Sequence, residues 1–164
     1  AVVPVGLVDV TKGGVATYLP YQFGGSSGLA VACGLAAVVG HNWSLWLGFR
    51  GGRGLSPFLG MLAVVYPLGA LLVLLALGIG RLLHRTPVVA LLGLTALPGV
   101  VLLTGGSETV FRGTLGMLVV TVLKRLEANR RPLPRDPALR RTVLWRRFWY
   151  DRDEERWPPE AEDA

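Results

Sequence analysis

Three long stretches without a formal charge limit what this chain can fold into. Residues 13–49 run for 37 positions with no Asp, Glu, Lys or Arg, residues 54–80 for 27 and residues 86–107 for 22. A helix needs about 20 mainly apolar residues to cross roughly 30 Å of hydrocarbon, so each stretch is long enough to span a bilayer. The competing reading, a core helix of a soluble enzyme, fits poorly, because such helices average only about 10–14 residues. Charge is distributed to match. Residues 1–123 hold six basic and two acidic side chains, whereas the last 41 hold eleven and nine. A chain that is 51% hydrophobic is not disordered. The composition describes an all-α, polytopic membrane bundle with a polar tail.

The net charge of +6 could suggest a nucleic-acid partner. The basic residues lie beside apolar runs, however, and the positive-inside rule accounts for them without one. The lone Cys33 can form neither an internal disulfide nor a zinc site and reads as a packing residue. Nothing calls for a metal or a cofactor.

The spans follow from punctuation. Residues 2–21 form the first, with Asp9 and Lys12 at i, i+3, where opposite charges on one helical face can offset each other. Gly24-Gly25-Ser26-Ser27-Gly28 is a turn, and residues 29–49 form the second span, its Trp43 and Trp46 suited to a membrane interface. After the glycine loop, Ser56-Pro57 has the chemistry of an N-cap followed by a first helical proline. Tyr66-Pro67 interrupts residues 57–80, giving one kinked span or two short ones. Residues 86–104 and 110–126 supply the remaining crossings. With a single crossing at 57–80, the Arg50/Arg53 loop would lie opposite the basic tail. With two, Arg50, Arg53, Arg81, Arg85 and the tail share one face, as the positive-inside rule requires. Six membrane helices (five if residues 57–80 cross once) are therefore expected, although each half of 57–80 is shorter than usual.

The chain divides into a membrane domain, residues 1–131, and a tail, residues 132–164. Pro132-Leu133-Pro134 ends the last span, and Asp136-Pro137 caps a new helix. Leu139, Val143, Leu144, Phe148 and Trp149 recur among Arg140, Arg141, Arg146 and Arg147, an amphipathic pattern. It suits either an anionic membrane surface or packing on the ends of the bundle. Residues beyond Asp151 read as a mostly disordered acidic end.

Few residues can carry chemistry, and the glycine loop leads them. Gly51, Gly52 and Gly54 let a backbone approach an anion closely, Arg50 and Arg53 supply charge, and the helix near Pro57 aims its positive end there. The loop is a candidate phosphate site, although neither a Walker A nor a Rossmann pattern fits. A tight basic turn obeying the positive-inside rule is the plainer alternative. His41-Asn42 could orient a substrate or relay a proton, or His41 could be a buried, hydrogen-bonded residue. His84 has no acid at the spacing of one acyltransferase motif and reads as interfacial. No Ser-His-Asp set can be assembled.

At these residues the chain resembles a known family. Gly40-His41-Asn42 followed by Leu47-Gly48-Phe49-Arg50-Gly51-Gly52-Arg53-Gly54 is similar to the second signature of the PlsY-type bacterial glycerol-3-phosphate acyltransferases. Asp9-Val10-Thr11-Lys12-Gly13 is similar to the family's D-x-x-K-G, and Lys124-Arg125-Leu126-Glu127-Ala128-Asn129-Arg130-Arg131 to its third signature. The resemblance covers about residues 1–133. It departs where Ser56-Pro57 replaces Ala-Thr and where Leu126 stands near a usual His. The first helix and first signature would precede residue 1.

The resemblance implies a multi-pass protein of the bacterial inner membrane whose signatures face the cytoplasm. It implies transfer of an acyl group from acyl-phosphate to glycerol 3-phosphate, the start of phospholipid synthesis. Acyl-phosphate, glycerol 3-phosphate and membrane lipids are then the partners. Catalytic roles are expected for His41 and Asn129. Substrate binding is expected of Lys12, Asn42, Arg50, Gly51, Gly52, Arg53, Gly54, Ser56 and Arg130, with Asp9 and Glu127 as structural polar residues. A catalytically lapsed relative that binds lipid or acts as a scaffold is the main alternative, and a small transporter a weaker one.

Overall fold

The computed structural model describes residues 2–153. In chain order the helices are α1 (Val2–Gln22), α2 (Ser27–Asn42), α3 (Leu55–Val65), α4 (Pro67–Leu82), α5 (Thr86–Leu103), α6 (Glu108–Glu127) and α7 (Pro137–Tyr150). Short 3-10 turns occupy Leu45–Leu47 and Ala128–Arg130. No strand occurs among the described residues. Six helices precede the tail helix, and the Tyr66-Pro67 break separates α3 from α4 as the charge argument required.

Local chemistry sets most boundaries. Ser26 and Ser107 accept hydrogen bonds from the backbone N–H groups of Leu29 and Val110 and start α2 and α6. Asp136 accepts from Ala138 N–H and starts α7, with Pro137 in its first turn. Two boundaries differ from the sequence reading. The second helix ends at Asn42 rather than running to Phe49, and Trp46, 96% exposed, sits in the following turn. Three glycines between 48 and 52, with Gly48 at φ 58°, leave the helix no propensity to continue. Ser56 is not an N-cap: Gly54 caps α3 at φ 72°, leaving Ser56 second and Pro57 third in the helix. Pro57 still loses no bond there, because the first turn has no intrahelical acceptors for its N–H groups.

The helices run alternately up and down. Asp9, two turns into α1, lies against His41 at the end of α2, and Arg53 donates to the Lys124 carbonyl at the end of α6. Arg125 donates to the carbonyl of Pro87 at the start of α5. At the opposite end the Tyr66 hydroxyl lies 2.7 Å from the Thr104 hydroxyl, joining the α3–α4 break to the end of α5. Thus α3 and α4 are separate antiparallel passes. α1 and α3 approach until Gly13 meets the Pro57 backbone and Gly60 meets the Val10 carbonyl, leaving no room for a Cβ at either glycine.

The surface is inverted relative to a water-soluble protein. Val38, Phe58, Met61, Leu62, Leu94, Leu97 and Met117 form the core. Leu7, Val8, Leu74, Leu92, Leu102 and Val119 nevertheless point outward, each more than half exposed. An apolar belt around a bundle that buries Thr17, Thr114 and Thr121 is what hydrocarbon solvent selects. Thr17 and Thr114 bond back to the carbonyls of Gly13 and Phe111, so their hydroxyls need no water. By length and hydropathy alone, two segments among the described residues, Ser27–Leu47 and Thr86–Leu103, suffice as single spans; α3 and α4 are shorter apolar helices.

The tail folds back onto the basic end of the bundle. Val143 is buried, and Leu144, Phe148 and Trp149 are half-buried, whereas Leu139 stays exposed. Arg147 departs from the amphipathic reading: it is 1% exposed, bonds the carbonyls of Leu126, Arg131 and Pro132, and pairs with Asp153 at 2.6 Å. Asp153 also differs from the expected loose end, since it is engaged with Arg147, and Asp151 just before that end pairs with Arg53. Residues 154–164, the rest of that acidic stretch, lie outside the described residues.

Candidate active site at the glycine loop

The loop between α2 and α3 divides its residues between two places. Gly51 and Gly52 pack under the end of α2, where Gly52 N–H donates to the His41 carbonyl. A Cβ on Gly52 would collide with His41 Nε2, and one on Gly51 with the His41 carbonyl. The close approach requires these two glycines and sets the imidazole beside bare backbone.

Across a groove of about 520 Å³ stands α1. Lys12 Nζ donates to Asp9 at 2.6 Å and lies 2.8 Å from His41 Nδ1. An ammonium only donates, so Nδ1 accepts from it and the ring carries its proton on Nε2, facing Gly52. Asp9 lies 3.3 Å from the same Nδ1, close enough to offset the cation in a low-dielectric setting. Val5, Ala37 and Leu47 line the groove beside these polar groups. A cation, an N–H and glycine backbone at one end, with apolar walls around them, suit a head with negative charge and a hydrocarbon tail.

The other half of the loop turns toward α6 and α7. Arg53 donates through Nη1 to the Lys124 carbonyl at 3.1 Å and pairs through Nε with Asp151 at 2.8 Å. Burial pushes the Asp151 carboxyl above its ordinary range, against the pull of Arg53 and Arg125. Lys124 is wholly buried, 3.1 Å from Glu127 and 4.9 Å from the centre of the Trp43 ring. Arg50 is exposed, and Arg130 lies over the Phe49 ring at 5.0 Å.

Two amides have unusual settings. Asn42 is fully buried beside Gly54, and neither its Oδ1 nor its Nδ2 has a hydrogen-bond partner among the described residues. Asn129 Oδ1 is also buried with no partner among the described residues, in a run of three left-handed residues, Ala128, Asn129 and Arg130. Left-handed backbone costs about 1–2 kcal/mol per non-glycine residue, and such strain gathers at functional sites. Ser56 is half-buried in the first turn of α3.

The expected residues therefore meet in two clusters. Asp9, Lys12, His41, Gly51 and Gly52 form one, and Arg53 and Glu127 meet at Lys124 in the other, with Asn129 and Arg130 in the turn after Glu127 and Arg130 over the Phe49 ring. Sequence reasoning assigned no site role to Lys124, quoted only within the third signature, to Trp43, read as an interfacial residue, or to Asp151. The i, i+3 spacing of Lys124 and Glu127 was a usable signal; nothing local marked Asp151. Among the described residues no group of His, Cys, Asp or Glu could hold a metal ion.

A bundle with a lipid-facing belt and a glycine loop gathering polar side chains at one end defines a polytopic membrane protein. A sequence model described as glycerol-3-phosphate acyltransferase matches residues 1–133. The glycerol-3-phosphate acyltransferase of Synechococcus sp. (strain CC9902) is 34% identical over 127 residues, covering 75% of this chain and 62% of that protein. Glycerol-3-phosphate acyltransferase 1 of Dehalococcoides mccartyi is 34% identical over 159 residues, covering 86% and 72%. The crystal structure of PlsY, an integral membrane glycerol 3-phosphate acyltransferase in its lysophosphatidic acid form, superposes with a TM-score of 0.66 at 26% identity, over 76% of this chain and 65% of that one. The chain thus spans under two thirds of the Synechococcus and PlsY proteins. It belongs to the glycerol-3-phosphate acyltransferase family.

Proposed function

We propose that the chain transfers an acyl group from acyl-phosphate to glycerol 3-phosphate, giving lysophosphatidic acid and inorganic phosphate. The observation that carries this reading is the groove where Lys12 and His41 face the Gly51-Gly52 backbone beside apolar walls. Acyl-phosphate is already activated, so positioning suffices and no covalent nucleophile is needed. The substrate hydroxyl oxygen attacks the acyl carbon, the carbon–oxygen bond to phosphate breaks, and the departing phosphate takes the hydroxyl proton. Lys12 and the glycine backbone hold the donor phosphate; His41 orients it through Nε2–H. Arg50 and Arg53 hold the second phosphate, while Asn42, Gly54 and Ser56 shape the loop, and Asn129 and Arg130 orient the polar acceptor. Asp9 and Glu127 balance the lysines.

Collection of the glycine loop, the α4–α5 turn and the end of α6 at one end of the bundle supports a cytoplasmic orientation for all of them, as does the positive-inside rule. Residues 1–131 are the catalytic domain in this reading, and residues 132–164 a tail that covers it. The assay is phosphate release from acyl-phosphate by folded, lipid-reconstituted protein, dependent on added glycerol 3-phosphate. Absence of release would overturn the enzyme in favour of a lapsed, lipid-binding relative, a reading favoured by the engagement of Arg53 with Asp151. A pH–rate profile whose essential group disappears in His41→Ala would overturn proton transfer to the departing phosphate.

A further inference from the structure

A second basic cleft lies away from the glycine-loop groove, between the α4–α5 turn and the end of α7. Its two lobes, of about 420 and 610 Å³, share His84, Pro87, Tyr150 and Arg152. Arg81, Arg85 and Arg146 also line it, and among the described residues Asp151, whose carboxylate is paired with Arg53, is the one acid on the walls. The first turn of α5 faces the cleft with neither a side-chain cap nor an acidic residue, leaving its positive dipole end uncompensated. Arg152 lines both lobes with its guanidinium carbon 5.7 Å from the centre of the Tyr150 ring, and its Nε, shielded from solvent, has no hydrogen-bond partner among the described residues. Arg125 fixes the back of the cleft by donating to the carbonyls of Pro87 and Phe148, so turn and tail helix hold a set spacing.

The surroundings identify the ligand's chemistry. Leu82 and Leu83, 80% and 58% exposed, stand in the chain between Arg81 and His84, two residues that line the cleft. Trp145 and Tyr150, an aromatic pair of the kind found at headgroup depth, line the opposite wall. We propose that this cleft holds the phosphate of an anionic phospholipid, with its acyl chains lying along Leu82 and Leu83. Cations and an uncapped helix end meet the phosphate, while leucines meet the chains, an arrangement with no counterpart for a free aqueous anion.

The full chain in phosphatidylcholine nanodiscs tests this with brominated lipids, which quench nearby tryptophan. Dibrominated phosphatidylglycerol should quench at a mole fraction at least fivefold below that needed with dibrominated phosphatidylcholine, and Trp145→Phe should remove most of that component. The preference should vanish in Arg85→Ala/Arg152→Ala and persist in Arg85→Lys/Arg152→Lys. If the alanine pair does not fold, as judged by its melting curve, Arg85→Ala alone should show a partial loss. Equal quenching by the two lipids would overturn the proposal. So would an alanine variant that keeps the preference, or full relief of quenching by millimolar inorganic phosphate, which would make the cleft a site for free phosphate.

Discussion

At residue scale, the close packing of Gly52 against His41 makes the sharpest demand. A methyl at Gly52 must displace the imidazole, and with it the Nε2–H and the Lys12 contact at Nδ1. Displacement of a positioned group by about 1 Å can cost roughly 10²-fold in rate. Gly52→Ala should therefore lower kcat/KM by about that factor while leaving the melting temperature near that of the parent. A drop in stability with kcat/KM unchanged would show that the contact serves folding alone. Arg53→Ala should raise KM for a phosphate substrate several-fold, with Arg140→Ala on the exposed face of α7 as the silent control; equal effects from both would remove Arg53 from the site. This half of the site was legible in the sequence because His41, Gly51 and Gly52 lie within a dozen positions and carry a specific pattern. The buried Asn42 was visible as a residue, but its lack of a partner depends on Val38 and Gly54 closing around it, which spacing does not encode.

At the scale of elements, α7 couples the tail to the loop. Asp151→Asn removes the charge that holds Arg53 and should lower KM for the phosphate substrate; an unchanged or higher KM would mean that the pair assists binding. Docking of α7 should also depend on pH. The Arg147 hydrogen bond holds the Asp153 carboxyl below its ordinary range, so the pair stabilises docking above that range and is lost as pH falls through the lowered value. Asp151 has the opposite sign: its raised value means that ionisation works against docking as pH rises from the ordinary carboxylate range through that value. Acidification should release the tail, seen as a fluorescence change from Trp145 and Trp149, and Asp153→Asn should show that change already at neutral pH. A variant indistinguishable from the parent would exclude the Arg147–Asp153 pair as the anchor. The sequence showed α7 as a helix through Asp136-Pro137 and its apolar spacing. It placed Arg147 on the wrong face, because the carbonyls that satisfy it come from the end of α6 and the proline turn, and no periodicity reports partners so distant.

At the scale of the molecule, the path of the chain was legible from charge. Two short helices with a Tyr66-Pro67 break restore a single basic face, and the Tyr66–Thr104 contact places the break at the other end. In a Cys33→Ser background, Trp46→Cys and Leu103→Cys should react with an impermeant thiol reagent from opposite faces of sealed vesicles. Labelling from the same face would overturn the six-pass path. Helix ends were less legible: residues 43–49 are apolar enough to extend a span, yet glycine-rich backbone beyond them turns the chain toward the site. The order of synthesis follows from the same path. Arg53 leaves the ribosome well before Asp151, so the helices through α6 can enter the membrane with the glycine loop uncovered, and the tail can close on it only after Asp151 has been made. Translation halted in the linker at Pro132-Leu133-Pro134 would leave an inserted bundle whose loop stays open.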